Sequence, residues 1–277
     1  MVLTETAETG SPPRSPGAGR GRMRRWAVVL AVAVVVVGGA LVSWRVLGGG
    51  APGPLPASAG ITEDHSVPVS VRTAPLVDEQ GRPTTLATFA GRIVVLVPFL
   101  TSCQEVCPLT TAALLRVQQS LAEAGVGRQV AIVEVTLDPE RDTPSRLAAY
   151  GRLTGAHWSL VTGSPSTIDA FWHSLGVYAQ RVPEGTPAGI DWQTGRPYTY
   201  DIDHSDGFFL LDPHQRERFL TLSAPDVRST PLPPALRSML DDQGRQNLLH
   251  PEATSWTVGQ MLQGIGWLAG RSIPQAA

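Results

Sequence analysis

The sequence contains only two cysteines and no lysine. Two cysteines in 277 residues exclude a disulfide-rich scaffold and are too few for a metal site built from cysteine alone. All 22 basic residues are arginines, which we interpret as a compositional habit rather than a functional signal. The formal net charge of −2 gives no basis for nucleic-acid binding, so no nucleic-acid partner is expected.

Both cysteines lie where an apolar strand is predicted to run into a helix. Residues 93–100 are apolar and rich in β-branched side chains, which is typical of a central strand covered on both faces. From Pro108 to Leu121 apolar residues recur at helical spacing. A thiol near a helix N-terminus tends to have a lowered pKa. Because Cys103 and Cys107 are four positions apart, one helical turn would place both sulfurs on one face, where they can close a disulfide or hold one metal ion.

The N-terminal part is predicted to anchor the chain in the cell membrane. Residues 1–25 are rich in glycine, proline and serine and then basic, which predicts a disordered cytoplasmic tail. Residues 26–47 are apolar apart from one arginine, and their length suits a single transmembrane helix with the C-terminal domain on the extracytoplasmic side. Residues 48–64 are predicted to be a flexible linker. The alternative is a cleaved signal peptide, but the small-residue site at 57–59 lies too far beyond the apolar run.

Residues 65–277 are predicted to form one α/β domain. Strand and helix patterns alternate after the cysteines, which indicates parallel βαβ units. With an added β-hairpin and a C-terminal helix, this order is expected of a thioredoxin-like fold. The predicted elements are a hairpin at 67–83, strands at 130–137 and 158–162, helices at 143–153 and 166–175, a hairpin at 208–222 and a helix at 256–268, with irregular stretches at 182–198 and 223–252.

Three motifs together resemble the Sco/SenC family. They are Cys-x-x-x-Cys-Pro at 103–108, TLDPERDTP at 136–144, and YDIDHS at 200–205 ahead of an apolar strand. The resemblance covers about residues 65–222, in the order and spacing of the family, and the cysteine pair alone would not establish it.

The resemblance implies a thioredoxin fold that binds copper through Cys103, Cys107 and His204. Asp138 matches an aspartate that lies near the metal loop in the family, which implies a supporting role outside the ligand set. Family members act as copper chaperones or thiol reductases for the binuclear copper centre of cytochrome c oxidase. The copper-binding subunit of that oxidase is therefore the expected partner, with direct donation of copper and reduction of the partner's thiols both open.

Each of these residues also has an ordinary structural interpretation. The cysteines can form a structural disulfide, although a bridge across four residues constrains little of the unfolded chain. Asp138 can simply form the Asp-Pro turn that follows a strand. Without the resemblance, the sequence would not select His204 from the other histidines, which are His65, His157, His173, His214 and His250.

The chain departs from the family between its cysteines. Many members have proline and then aspartate after the first cysteine, whereas this chain has Gln104 and Glu105. The predicted ligands are unaffected. The backbone of the loop gains an N–H and freedom to bend, so the metal affinity or redox potential is expected to differ.

Two enzymatic functions compete with the chaperone hypothesis. The cysteine pair can act as a redox-active thiol–disulfide oxidoreductase that reduces an oxidase subunit, although such enzymes usually carry Cys-x-x-Cys. A thiol peroxidase is a weaker alternative, because only the fold and a reactive thiolate favour it.

Overall fold

The computed structural model describes residues 60–276. The strands are β1 Ile61–Ser66, β2 Leu76–Asp78, β3 Pro83–Thr84, β4 Ile93–Phe99, β5 Val130–Thr136, β6 Ser159–Gly163, β7 Ala179–Pro183, β8 Tyr200–His204, β9 Phe208–Leu211 and β10 Arg216–Thr221. The helices are α1 Val69–Arg72, α2 Cys107–Glu123, α3 Pro144–Thr154, α4 Pro165–Ser174, α5 Pro234–Met239, α6 Asp242–Leu249 and α7 Val258–Ala269, with a 3₁₀ turn at Leu86–Phe89.

Eight strands form one mixed sheet in the order β1-β10-β9-β4-β5-β6-β2-β3. Strand β4 is parallel to β5, and β5 is parallel to β6, whereas β9 is antiparallel to both β4 and β10. A β4-α2-β5 unit followed by the β9–β10 hairpin and α7 is the core order of a thioredoxin-like fold, as the sequence predicts. Because β4 and β5 are parallel, the loops that follow them meet at one edge of the sheet. These loops carry Cys103 and Asp138.

The sheet is buried on both faces, which explains the continuous apolar sequences of its central strands. All seven residues of β4 and all seven of β5 are buried. Alternate side chains of β4 enter two separate core clusters, as the strand period requires. One cluster contains Val94, Leu96, Val133, Val135, Leu147, Tyr150, Phe171 and Trp172. The other contains Ile93, Val95, Val97, Leu114, Val117, Met261, Leu262 and Ile265.

Hydroxyl residues begin three of the helices. The Thr143 side chain accepts a hydrogen bond from the Arg146 N–H at the start of α3, and Ser164 caps α4 in the same way. Thr257 and Gln260 form a reciprocal capping box at α7. These side chains satisfy N–H groups that have no partner within the helix. The helices predicted at 143–153, 166–175 and 256–268 are therefore confirmed to within two residues.

The structure differs from the prediction of a loop at residues 182–198. Strand β7 begins before that stretch and pairs antiparallel with β8, with Ala179 opposite His204 and Pro183 opposite Tyr200. Four of the five residues of β7 are exposed, so the strand has no apolar alternation that a sequence could reveal. Its register comes from hydrogen bonds to β8.

Two other segments also adopt structure that the sequence does not predict. Helices α5 and α6 lie within the stretch predicted to be irregular, because α5 buries Leu236 and Met239 while Asp241 caps the polar helix α6. Residues 61–64, which were predicted to belong to the linker, lie in β1 and pair with β10. Residues 69–72 form α1, so the strand pairing near the predicted first hairpin is limited to β2 and β3.

The predicted tail at 1–25, the predicted membrane helix at 26–47 and the linker up to residue 59 lie outside the described residues. Within residues 60–276, no helix has both the length and the apolar character needed to cross a bilayer.

Strand β5 carries a carboxyl group inside the core. Glu134 is completely buried, and its Oε2 accepts a hydrogen bond of 2.7 Å from the indole of Trp158. Its Oε1 has no hydrogen-bond partner. Burial raises the pKa of Glu134 to about 8, although the bond from Trp158 opposes the shift. The carboxyl group is therefore protonated in the folded protein under conditions where an unfolded chain would ionise it.

We expect this carboxyl to make the folded state less stable as the pH rises. Between about pH 4.5 and pH 8 the unfolded state loses a proton that the folded state retains, so the free energy of unfolding falls across that window. The loss in the free energy of unfolding is about 5 kcal/mol at most. Glu134→Gln keeps an acceptor for Trp158 and removes the titration, so its urea midpoint should exceed that of the wild type more at pH 8 than at pH 5.

The matched control is Glu123→Gln, which changes an exposed residue at the end of α2 and should leave the pH profile unaltered. Parallel pH profiles for the wild type and Glu134→Gln would contradict the assignment.

Candidate metal centre

The two cysteines lie on either side of the start of α2. Strand β4 ends at Phe99, residues 100–106 form the cysteine loop, and Cys107 is the first residue of the helix. Cys103 therefore precedes the helix, instead of occupying its first turn as the sequence suggested. The Cys107 N–H nevertheless donates to the Cys103 Sγ at 3.4 Å, which places that sulfur at the helix N-terminus.

His204 is brought to the cysteines by β8. It is the last residue of that strand, and 7% of its side chain is exposed. One ligand atom each from Cys103, Cys107 and His204 lies within 4.8 Å of the others. Ligands that share one ion at bond lengths of about 2.0–2.3 Å lie up to about 4.6 Å apart, so the three ligand atoms are close to the spacing that a single metal ion requires. Within residues 60–276, no other group of three potential metal ligands is found.

The backbone of the loop after His204 packs closely against strand β10. Gly207 has φ of +134°, and a Cβ at this position would collide with the carbonyl oxygen of Thr221 on β10. A residue with a side chain would displace the start of β9 and the end of β8 with it. The Nδ1 atom of His204 lies 3.1 Å from the carbonyl oxygen of Ser205. A neutral ring that donates from Nδ1 leaves Nε2 available as a ligand.

The two thiols have opposite acidities. A hydrogen bond from the Cys107 thiol lowers the pKa of Cys103 well below its ordinary value, and His204 adds to this effect against the cost of burial. The same hydrogen bond, together with burial and the negative charge of Cys103, raises the pKa of Cys107. Burial opposes a charge on His204, but Cys103 and Asp206 outweigh it and raise the pKa of His204 to about 9. These shifts favour a thiolate at Cys103 and an imidazolium at His204, beside a Cys107 thiol that resists ionisation.

Carboxylates surround this pair. Burial, followed by charges that include Cys103, raises the pKa of Asp206 to about 6 although His204 opposes the shift. Partial desolvation and the negative charges of Cys103, Asp241, Asp201 and Asp206 raise the pKa of Glu105 to about 7. Each of these acids disfavours additional negative charge near the sulfurs.

A buried polar network holds the cysteine loop in place. Asp142 accepts hydrogen bonds from the Thr101 backbone at 3.1 Å, the Thr101 hydroxyl at 2.5 Å and the Thr136 hydroxyl at 2.6 Å. Arg146 donates to the Thr101 hydroxyl at 2.6 Å and forms an ion pair of 2.8 Å with Asp191 in the β7–β8 connection. The network therefore ties β5, α3 and the β7–β8 connection to the loop that carries Cys103.

Sequence reasoning did not assign a role to Asp142 or Arg146. Asp142 lies inside the TLDPERDTP motif and Arg146 follows it, and a polar run directly after a buried strand was the signal that could have identified them. Both are buried, which requires hydrogen-bonded partners.

Asp138 acts on strand β8 rather than on the cysteines. It forms an ion pair with Arg141 and accepts a hydrogen bond of 2.9 Å from the Tyr200 hydroxyl. Arg141 also donates to the Tyr200 carbonyl at 2.9 Å and lies over its ring. Because Tyr200 begins the strand that ends at His204, Asp138 positions the histidine through β8. Asp138 can therefore form the Asp-Pro turn and also support the site, so its two interpretations do not exclude each other.

A family model described as SCO1/SenC matches residues 72–240, which include all three candidate ligands. The chain belongs to the SCO1/SenC family.

Individual relatives match a shorter stretch of the chain. The protein SCO2 homolog, mitochondrial, of Homo sapiens is 31% identical over 139 residues, covering 50% of this chain and 48% of that protein. A putative copper-binding protein of Stutzerimonas stutzeri is 29% identical over 138 residues, covering 50% of this chain and 62% of the relative. The SCO1/SenC chain thus spans between about half and three fifths of the length of these curated relatives. The crystal structure of Arabidopsis thaliana ScoI with copper bound matches 58% of this chain and 88% of its own, at 23% identity and a TM-score of 0.46.

Both cysteines are free thiols in the structure. We expect iodoacetamide to modify Cys103 of the metal-free protein before Cys107 near pH 7, because Cys103 is partly exposed and has a lowered pKa, whereas Cys107 is buried and has a raised pKa. Peptide mapping at short reaction times measures the two rates separately.

His204→Ala should shift the pH profile of Cys103 alkylation to higher pH, because it removes the cation that stabilises the thiolate. His214→Ala is the matched control, since His214 is exposed and lies in the β9–β10 turn. Equal reaction of both cysteines, or an unchanged profile in His204→Ala, would contradict the thiolate–imidazolium pair.

Proposed function

We propose that this protein is a membrane-anchored copper chaperone that delivers copper to the binuclear centre of cytochrome c oxidase, or prepares that centre to receive it. The observation that carries the proposal is the convergence of two sulfurs and one imidazole nitrogen within 4.8 Å of one another. The description of the Stutzerimonas relative as a copper-binding protein supports the choice of metal. The role in oxidase assembly is what the family resemblance implies.

The donor set favours copper over zinc. Two thiolates and one imidazole suit the soft Cu(I) ion and can also accommodate Cu(II). A structural zinc site is almost always four-coordinate, and among residues 60–276 no fourth ligand joins the group. Copper is the cargo of such a site, because three protein ligands leave one side open to an incoming ligand from an acceptor.

The protonation states determine what the residues must do when they bind copper. The lowered pKa of Cys103 favours the charged form that a ligand needs. Cys107 must lose its thiol proton and His204 its imidazolium proton, so binding releases protons and weakens as the pH falls. The partial exposure of Cys103 leaves one edge of the site accessible to a partner.

The proposed location is the outer face of the cell membrane. The apolar segment at residues 26–47, preceded by arginines, supports an uncleaved anchor whose C-terminal domain faces an oxidising compartment. In that compartment a disulfide between Cys103 and Cys107 would remove both thiolate ligands, so the redox state of the pair would control copper loading.

We expect the reduced full chain to bind one copper per molecule. Cys103→Ser and Cys107→Ser should abolish this binding, because a hydroxyl does not replace a thiolate ligand for soft copper. His204→Ala should retain copper with affinity lower by about tenfold or more. Metal analysis after dialysis against a competing chelator measures stoichiometry and affinity together.

The control for this experiment is His214→Ala, which removes an exposed imidazole elsewhere on the domain. One copper per chain in both serine variants would refute the assignment of the ligands.

The second candidate is a thiol–disulfide oxidoreductase acting on an oxidase subunit. The specific observation in its favour is the pair of thiols with opposite pKa shifts, since an acidic, partly exposed thiolate suits attack and a neutral neighbour suits resolution. His204 matters to this chemistry as well, because it stabilises the thiolate. A simple loss of exchange in His204→Ala therefore does not distinguish the two functions.

A pH series does distinguish them. For the oxidoreductase, His204→Ala should slow disulfide exchange at pH 7 but recover to within about twofold of wild type above the thiol pKa, where the thiolate no longer needs the imidazolium. Copper binding should stay weak at every pH, because the lost group is itself a ligand. Exchange with a small aromatic disulfide measures the first property, and a wild type that turns over no faster than free cysteine would exclude the oxidoreductase.

A further inference from the structure

Helix α6 packs against the loop that joins the two cysteines, although it lies far from them in the sequence. The Asp241 N–H, directly before the helix, donates to the carbonyl oxygen of Gln104 at 3.1 Å. Further along the helix, the side-chain amide of Asn247 lies 3.5 Å from the carbonyl oxygen of Glu105. The start of α6 therefore contacts the two residues that directly follow Cys103.

Close approach to this loop, more than hydrophobic burial, characterises α6. Gly244 is the one buried residue of the helix. A Cβ at this position would collide with the carbonyl oxygen of Gln104 and would lie only 3.1 Å from the Cα atom of Glu105. Glycine is unfavourable within a helix because it loses the most backbone freedom on folding. The close contact with the loop explains why a glycine is nevertheless found here.

The hydrophobic core holds the start of α6 in place through the helix that precedes it. Leu236 and Met239 of α5 belong to one core cluster, and Leu240 belongs to the other. Asp241 then joins the two helices, because its side chain caps α6 by accepting from the Gly244 N–H at 2.7 Å. The backbone N–H that Asp241 donates to the loop is thus fixed from both sides.

The β7–β8 connection holds Gln104 from another direction. The Gln104 side-chain amide donates to the carbonyl oxygen of Ile190 at 3.3 Å. Gly189 packs on the same side chain, since a Cβ at that position would collide with the Gln104 Oε1 atom. Because β8 ends at His204, Gln104 links the cysteine loop to the segment that leads to the third candidate ligand.

The sequence between the ligands provides no such restraint of its own. Residues 102–106 contain no proline, so no ring fixes the backbone of this loop. Ordering a flexible loop around a metal ion costs conformational entropy. The contacts from α6 and from the β7–β8 connection restrict the loop independently of the metal. Gly244 and Asn247 lie beyond the family match at residues 72–240, so part of this restraint comes from outside that match.

We propose that α6 positions the copper ligands by holding the backbone of residues 104 and 105, and that Gly244 is the positioning residue that permits this contact. The identity of the metal rests on the proposed function, whereas the hold of α6 on the loop is a property of the metal-free chain. Preorganised ligands bind more tightly because less order has to be created on binding. The hold also opposes movement of the sulfurs to the separation of about 2.05 Å in a disulfide, so it favours the reduced pair.

The test is Gly244→Ala in the reduced full chain. The added methyl group meets the backbone carbonyl of Gln104, so α6 and the loop have to separate. One copper ion per chain should still bind, but the affinity should fall by about tenfold, as for other residues that orient metal ligands. Competition with a chelator measures the affinity. The thiolate-to-copper absorption of the Cu(II) form should also change, which a general loss of stability would not produce.

Gly259→Ala is the matched control, because it adds the same methyl group near the start of α7. The nearest side-chain atom to a Cβ there is 3.8 Å away, so the methyl group fits without movement. The copper affinity and the absorption spectrum of this control should match those of the wild type. A wild-type affinity and spectrum in Gly244→Ala would overturn the positioning role of α6, even if the loop became more mobile.

Two measurements on the metal-free chain test the hold on the loop without copper. Amide hydrogen exchange of residues 102–106 should be about tenfold faster in Gly244→Ala, because contacts that oppose local opening are lost. In glutathione buffers, the two protein thiols are oxidised to a disulfide while one oxidised glutathione is reduced to two thiols. This equilibrium should shift by about threefold toward the protein disulfide. Exchange and redox equilibrium that both match Gly259→Ala would show that α6 does not hold the loop.

Asp241→Ala is a second variant, for use if Gly244→Ala lacks the melting transition of the wild type. It removes the cap, so the start of α6 should fray and copper affinity should fall by about threefold or more. Asp241→Asn removes the same charge but keeps a capping side chain, and it should restore the wild-type affinity. Equal affinities in the alanine and asparagine variants would contradict a role for the helix start.

The proposed function and the role of α6 fail separately. A wild-type chain that takes up no copper would reject the chaperone function, while hydrogen exchange and the glutathione equilibrium would still decide whether α6 holds the loop. Normal copper binding in the wild type, with no change in Gly244→Ala, would reject the role of α6 alone.

Discussion

The contact between the Cys103 thiolate and the His204 imidazolium is the interaction on which the rest of the site depends. Both groups are largely or partly buried, and an isolated buried charge of either sign would be strongly unfavourable. Each charge is stable because the other lies within hydrogen-bonding reach. The pairing favours the ionised form of Cys103 and keeps the imidazole close to it, as a shared metal ion would require.

The fold brings Cys103 and His204 together with elements from distant parts of the chain. The β4-α2 junction fixes the two sulfurs, while β8 delivers the imidazole from a separate two-stranded sheet. Two polar networks keep these parts in register. Asp142 and Arg146 connect the cysteine loop to β5, α3 and the β7–β8 connection, whereas Asp138, Arg141 and Tyr200 hold the start of β8. A metal site assembled in this way depends on residues that never touch the metal.

The carboxylates around the site oppose ionisation of both thiols at once. Carboxylates near two thiols disfavour full deprotonation of the pair, which helps to explain why the pKa of Cys107 is raised beside Cys103. This SCO1/SenC protein combines the common ligand set with Gln104, Glu105 and helix α6, so its surface beside the metal loop is shaped partly by residues beyond the family match at 72–240.

The sequence by itself determined the thioredoxin-like core, the position of both cysteines and most of the helices, because these depend on local patterns. Continuous apolar runs predict the central strands, and the sequence predicts the helices at 143–153 and 166–175 to within one residue of α3 and α4. The family motifs also identified His204, which its own local sequence could not. Only the tertiary structure decided that Cys103 lies ahead of the helix, that residues 179–183 form a strand, that Asp142 and Arg146 anchor the loop, and that α6 packs against it. Each of these features depends on hydrogen bonds or charges between segments far apart in the chain, and no local periodicity records such contacts.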